Sequence, residues 1–187
     1  MKNVRVSCVA LGLLGLLLCG RSNASDAPEI SRSTGVEGGV IVFWPRIIPR
    51  SETVNTRALA KKIQARLKTL VTQALPGRPL DVRPEPERVC PQAGCQAMTV
   101  GVLLARKGSG CIAVALLGRP GKALTHLVPW VGKVKVKQEW VPFRKPPESF
   151  LTINDFTPCD QVMAQLPANE NQIIKMIKDA EPARKKK

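Results

Sequence analysis

Two neighbouring segments constrain the fold more than any other part of the chain. Val40-Ile41-Val42-Phe43-Trp44, released by Gly38-Gly39 and stopped by Pro45, is a run of bulky apolar residues without polar alternation. That is the pattern of a strand buried on both faces, at the centre of a sheet. Downstream, Leu59, Ile63, Leu67, Leu70, Val71 and Ala74 recur at helical spacing. Arg57, Lys61, Gln64, Lys68 and Thr72 fall on the other side of the same helix. Glu52 suits its partial-positive end, and Leu75-Pro76-Gly77 stops it. A buried strand followed by a long amphipathic helix requires a sheet with a covering layer. Leu80-Asp81-Val82-Arg83 reads as a second strand, reached by a helix long enough for a right-handed parallel crossover.

The next stretch, Pro-Glu-Pro-Glu-Arg-Val at 84–89, is a proline-rich loop. Residues 97–105 fit two patterns. Met98, Val100, Val102 and Leu104 alternate with smaller residues as in a strand, yet the run is apolar enough for a buried helix ending at Gly108. Lys107-Gly108-Ser109-Gly110 is a hairpin turn under the strand reading. Cys111 to Leu117 is a strand either way. Arg119-Pro120-Gly121-Lys122 has the chemistry of a tight turn, and Ala123 to Val128 is the return strand, broken at Pro129. Lys133-Val134-Lys135-Val136-Lys137 alternates strictly and reads as an edge strand with its lysines on one face. Cys159 to Leu166 predicts a short helix after Thr157-Pro158, and Asn171 to Ala180 a last, marginal one. No internal repeat is visible.

The fold expected is a single α/β domain, with α+β as the alternative. It is a mixed sheet of about four to six strands covered by one long helix and a short C-terminal one. The domain proper is placed at 38–166. A polar leader precedes it at 25–37, and a marginal helix with a basic tail ending in Ala183-Arg184-Lys185-Lys186-Lys187 follows at 167–187.

Residues 1–24 carry the signature of an export signal. Lys2 and Arg5 give a positive start, Val9 to Leu18 a short apolar core, and Ser22-Asn23-Ala24 a small-x-small cleavage pattern. The apolar run is too short for the ~20 residues that cross a bilayer, so the chain is expected not to span a membrane. Leu16-Leu17-Leu18-Cys19-Gly20 resembles a lipid-attachment box, but Leu18 stands where a small residue is wanted. Soluble export to a periplasmic or extracellular compartment is therefore preferred to a lipid anchor at Cys19. The sequon Asn23-Ala24-Ser25 straddles the cleavage point and is taken as accidental.

Export changes how the cysteines and the charge are read. Cleavage removes Cys8 and Cys19 and leaves Cys90, Cys95, Cys111 and Cys159. An even set in an oxidising compartment implies two disulfides, and the spacing fits no zinc knuckle pair. As strand or helix, residues 97–105 would hold Cys95 and Cys111 on the order of 20 Å apart, against the ~6 Å between Cα atoms that a disulfide tolerates. Cys90–Cys95 and Cys111–Cys159 are the expected pairs, the second closing a long loop and worth a few kcal/mol in the loop-entropy description. The whole chain carries a net charge of +15; losing Lys2, Arg5 and Arg21 lowers it to +12. Such a charge draws a protein to anionic lipid headgroups, envelope polymers or acidic proteins. Nucleic acid is a poor partner for an exported chain, and aromatics are only 4% with no Tyr, too few for a base-stacking platform.

Catalytic patterns are sparse. His126 is the one histidine, set in a strand with no locatable nucleophile or orienting acid. Gly108-Ser109-Gly110 lacks the spacing of a nucleophile elbow, and Gly118-Arg119-Pro120-Gly121-Lys122 lacks the gap of a phosphate loop. Glu85 and Glu87 lie in a proline-rich loop, where solvent keeps carboxylates ordinary. Asp155 and Asp160 flank Pro158, and Asp160 suits a helix start. Trp44 is assigned to the core, whereas Trp130 and Trp140 are candidates for a surface beside the lysines. The expected binding residues are thus Lys133, Lys135, Lys137, Trp130 and Trp140, joined by the cations Arg184 to Lys187, with no cofactor, metal site or catalytic set. The function class that follows is an exported, basic, non-enzymatic binding or assembly protein of the cell envelope. Its rivals are a small exported hydrolase with a site assembled from distant residues, and a structural module that pairs through the sheet edge at Val131 to Gln138.

Overall fold

The structure, a computed structural model, describes residues 38–49, 54–83, 96–122, 124–137, 139–142 and 145–181. The export signal, the leader, Cys90, Cys95 and the basic tail lie outside the described residues, and so does the expected Cys90–Cys95 bridge.

The described residues open with β1 (Val40–Val42), β2 (Arg46–Ile48), the helix α1 (Val54–Ala74) and β3 (Leu80–Val82). β1 and β3 are parallel neighbours, with Val42 opposite Val82, so α1 is the crossover between them. β4 (Met98–Lys107) and β5 (Gly110–Gly118) form a long antiparallel hairpin, turning at Gly108-Ser109. Residues 97–105 are therefore strand from Met98 onward. The reason is pairing on both sides: β1 and β2 on one edge, β5 on the other. No helix could satisfy those neighbours.

β6 (Leu124–Val131) returns beside β5, and β8 (Trp140–Pro142) pairs with its first residues. Across the sheet the order is β3-β1-β4-β5-β6-β8. Two further strands extend rows already begun. β2 continues the β1 row along β4, and β10 (Thr157–Pro158) continues the β6 row along β5. The sheet among the described residues is thus mixed and eight-stranded, larger than expected because these two short extensions carry no periodicity of their own. Val42 pairs with Val100 and Arg46 with Leu103, so the β1–β2 side holds one extra residue. Phe43-Trp44-Pro45 absorbs it as a bulge, which ends the apolar run as a strand at Val42.

Pro129 does not break β6. It sits opposite Val114 at the point where the β5–β6 register shifts, beyond the stretch that β8 pairs, where a missing N–H costs little. Gly132 then turns the chain off the sheet with φ +88°. A Cβ at that position would lie 2.7 Å from Ile112 Cγ2 and 3.2 Å from the Asp155 carbonyl, so only glycine fits. Beyond it, β7 (Lys133–Val136) pairs with β9 (Leu151–Asp155) in a separate two-stranded ribbon. The lysine strand is therefore not an edge of the main sheet.

Two apolar layers sandwich the sheet. On one face Ala60, Ile63, Leu67, Leu70, Val71 and Ala74 of α1 meet Val40, Val42, Val100, Val102, Leu104, Ala113, Ala115 and Leu117. On the other, Leu103, Ala105, Ile112, Val114, Leu127 and Val141 meet Phe150, with Val134, Val136 and Leu151 of the ribbon packed against them. Full burial of a Leu or Ile stabilises by roughly 1.5–3 kcal/mol against exposure, so both layers matter.

The C-terminal region joins the helix side. α2 (Val162–Gln165) is followed by a 3₁₀ turn at Leu166–Asn169 and by α3 (Glu170–Ala180). The expected short helix at 159–166 is limited to one turn. α3 is not marginal, because Ile173, Ile177 and Ala180 are buried in the same core as α1. Arg66 of α1 grips the Glu170 carboxylate with two hydrogen bonds of 2.5 Å. Cys111 and Cys159 are bonded, with Cα atoms 4.8 Å apart, tying the start of β5 to the entry into α2. That pairing is the one the separation argument selected.

Candidate functional site

The residues expected to bind are placed in three different environments. Lys133, Lys135 and Lys137 are all exposed. Because Val134 and Val136 turn inward onto the second core, strict alternation puts the lysines on the outer face of the ribbon. Lys133 stands opposite Asp155 in the ribbon register, with Nζ 3.7 Å from its carboxylate. The outward charge of the ridge is thus carried mainly by Lys135 and Lys137.

Trp130 is not on the surface. Its side chain is fully buried among the residues beneath α1, and its indole Nε1–H donates to the Leu166 carbonyl at 3.2 Å. The Asn169 amide donates in turn to the Trp130 carbonyl at 2.8 Å. Two residues on from Val128, the ring shares that residue's helix-facing side of β6, and the 3₁₀ turn supplies the polar partner a buried indole needs. Trp44, assigned to the core, packs against it from a half-buried position, with the Arg57 guanidinium 6.0 Å from its ring.

Trp140 is partly exposed and belongs to a different group from the lysines. One row of paired residues crosses the helix-facing side of the sheet: Val42, Val100, Leu117, His126 and Trp140. Residues paired this way share a face. The row therefore runs from the core to the rim, and its last two members meet edge to face with ring centroids 5.0 Å apart. The Arg119 guanidinium lies 4.4 Å over the Trp140 ring, a cation–π distance, and donates to the Asp179 carbonyl at 3.3 Å near the C-terminus of α3. His126 Nδ1 is buried without a hydrogen bond, 3.8 Å from a Glu139 oxygen. Burial holds the His126 pKa below its ordinary value, the Glu139 charge opposes that shift, and the Arg119 charge adds to it. The lowered pKa keeps the imidazole neutral near pH 7. Trp140 pairs with His126, roughly 16 Å of strand before Val131, the end of β6 from which the chain leaves for Lys133.

A third surface was not singled out in the sequence, although its signal is legible there. α1 carries Arg57, Lys61, Lys62, Arg66 and Lys68 and not one acidic residue. Arg66 is engaged by Glu170, while Arg57, Lys61, Lys62 and Lys68 are exposed. α1 covers one face of the main sheet and the lysine ribbon the other, so the molecule presents cations in two opposed directions.

Among the described residues, no group of three or more His, Cys, Asp or Glu side chains is placed to hold a metal ion. No helix among them is long and apolar enough to cross a membrane. No family model, curated protein or solved structure matches the chain.

Proposed function

We propose that this is an exported, non-enzymatic binding or assembly protein of the cell envelope that meets an anionic partner through its basic surface. The observation that carries the reading is the distribution of cations. A 21-residue helix with five basic and no acidic residues covers one side of the sheet, and the outward lysines of β7 stand on the other. A structural helix of this length ordinarily mixes both signs to gain i,i+4 pairs, and α1 forgoes them. The Cys111–Cys159 disulfide is compatible with an oxidising compartment.

Fractionation of cells carrying the full chain tests the reading. Association with envelope material should weaken steeply as salt rises from about 50 to 300 mM, as screening of exposed charge requires. Association indifferent to salt would overturn the electrostatic basis. The rival reading, pairing through the 131–138 strand, predicts loss of association in Val134→Pro or Val136→Pro and indifference to salt.

A further inference from the structure

We infer that the outward stripe of α1 formed by Arg57, Lys61 and Lys68 binds a linear polyanion laid along the helix axis, a polymer of phosphate groups repeating on a sugar or polyol backbone. The inference rests on the envelope-binding reading and specifies its surface and its ligand.

The stripe follows from helix geometry. At about 100° per residue, positions 57, 61 and 68 fall within roughly 40° of one another around α1. They are spread along it by about 6 Å and then about 10 Å at 1.5 Å per residue. On the opposite flank, Arg66 reaches across to Glu170 of α3. On the near flank, Gln64 donates to the Arg83 carbonyl just after β3, at 3.2 Å. The stripe therefore looks away from α3, over the β3 side. Among the described residues, Asp81 of β3 is already taken by the Arg83 guanidinium at 2.6 Å. No acidic side chain of α1 itself interrupts the row.

The same geometry separates a polymer from a membrane. Helices that lie in a bilayer surface present large apolar side chains to it. Apart from its cations, the exposed positions of α1 among the described side chains are Asn55, Ala58, Ala65, Thr69, Thr72 and Gln73, none of them able to insert. A flat bilayer would also leave the lysine ribbon on the far face of the sheet without a contact, whereas a chain-like ligand needs only a narrow track. Beside the stripe, Lys68, Thr69, Thr72 and Gln73 line an open depression. The Thr69 and Thr72 hydroxyls donate to the Ala65 and Lys68 carbonyls, which leaves their oxygens free to accept hydrogen bonds from hydroxyls of a polyol or sugar.

The test uses the full chain with its disulfide intact and long-chain inorganic polyphosphate as the probe, with binding measured calorimetrically. Three phosphate contacts imply weakening of about 40-fold between about 50 and 300 mM salt, at ~0.7 counterions released per contact. Lys61→Glu/Lys68→Glu should weaken binding by at least about tenfold at low salt. Lys122→Glu/Lys145→Glu makes the same change in net charge on exposed residues of other elements, and should stay within about threefold. Matching circular dichroism and melting curves show that the variants are folded. Equal losses in the two variants would overturn the stripe while leaving a general electrostatic attraction. A greater loss in Lys135→Glu/Lys137→Glu would move the site to the ribbon and overturn it likewise. Salt-sensitive binding to phosphatidylglycerol vesicles without binding to polyphosphate would overturn the polymer and keep the envelope reading. Absence of salt-sensitive binding to either probe would overturn both.

Discussion

Trp130 and Leu166 are joined by the hydrogen bond from the indole nitrogen to the backbone carbonyl, 3.2 Å long and fully buried. It fastens the 3₁₀ turn that leads into α3 to the far end of β6, and Asn169 returns a bond to the Trp130 carbonyl. Trp130→Phe keeps an aromatic ring but removes the donor and part of the volume. The expected cost is about 1–3 kcal/mol, read as a lower denaturant midpoint with an unchanged slope. A variant as stable as the parent would show that the indole acts as bulk alone.

The Cys111–Cys159 bridge spans a sequence separation of 48. Replacing both residues with serine should lower stability by about 2–4 kcal/mol. Non-reducing peptide mapping should recover the two cysteines on one linked fragment. A Cys95–Cys111 fragment would contradict both the separation argument and the structure.

His126 makes stability depend on pH in one direction. Its pKa is lowered in the folded protein, chiefly by burial, so the unfolded chain takes up a proton at higher pH than the native one. The stabilising contribution of the neutral imidazole is complete above the ordinary histidine range, about 6.5. It is lost as pH falls through the lowered native pKa. Melting temperature should drop more steeply below about pH 6 in the parent than in His126→Gln. Parallel curves for the two proteins would remove His126 from the acid response.

Gly132 and Gly121 separate conformational strain from crowding. Both have positive φ, +88° and +65°, but a Cβ at Gly121 meets nothing within 4 Å, whereas one at Gly132 runs into Ile112 and the Asp155 backbone. Gly121→Ala should cost about 1 kcal/mol, from backbone conformation alone. Gly132→Ala should cost about 2–4 kcal/mol and loosen the β7–β9 ribbon. Equal midpoints for the two variants would show that the ribbon moves aside freely.

Local rules in the sequence determined a good deal of this protein. The period of Leu59 to Ala74 specified α1, and the strict alternation of Lys133 to Lys137 placed three lysines outward, since each depends only on neighbours a few residues away. The Cys111–Cys159 pair was also legible, because the length of an intervening element excludes a competitor whatever its type. Only the tertiary structure decided matters that depend on partners distant in the chain. Residues 98–107 are strand because β1, β2 and β5 claim both their edges. Trp130 is core because the 3₁₀ turn at Leu166–Asn169 packs on its side of β6 and offers its indole a carbonyl 36 residues away. His126, Trp140 and Arg119 converge because one row of paired residues runs from the core to the rim of the sheet. The cations of α1 and β7 point in opposite directions for the same kind of reason, since each element had to lay its apolar side on a different face of one sheet.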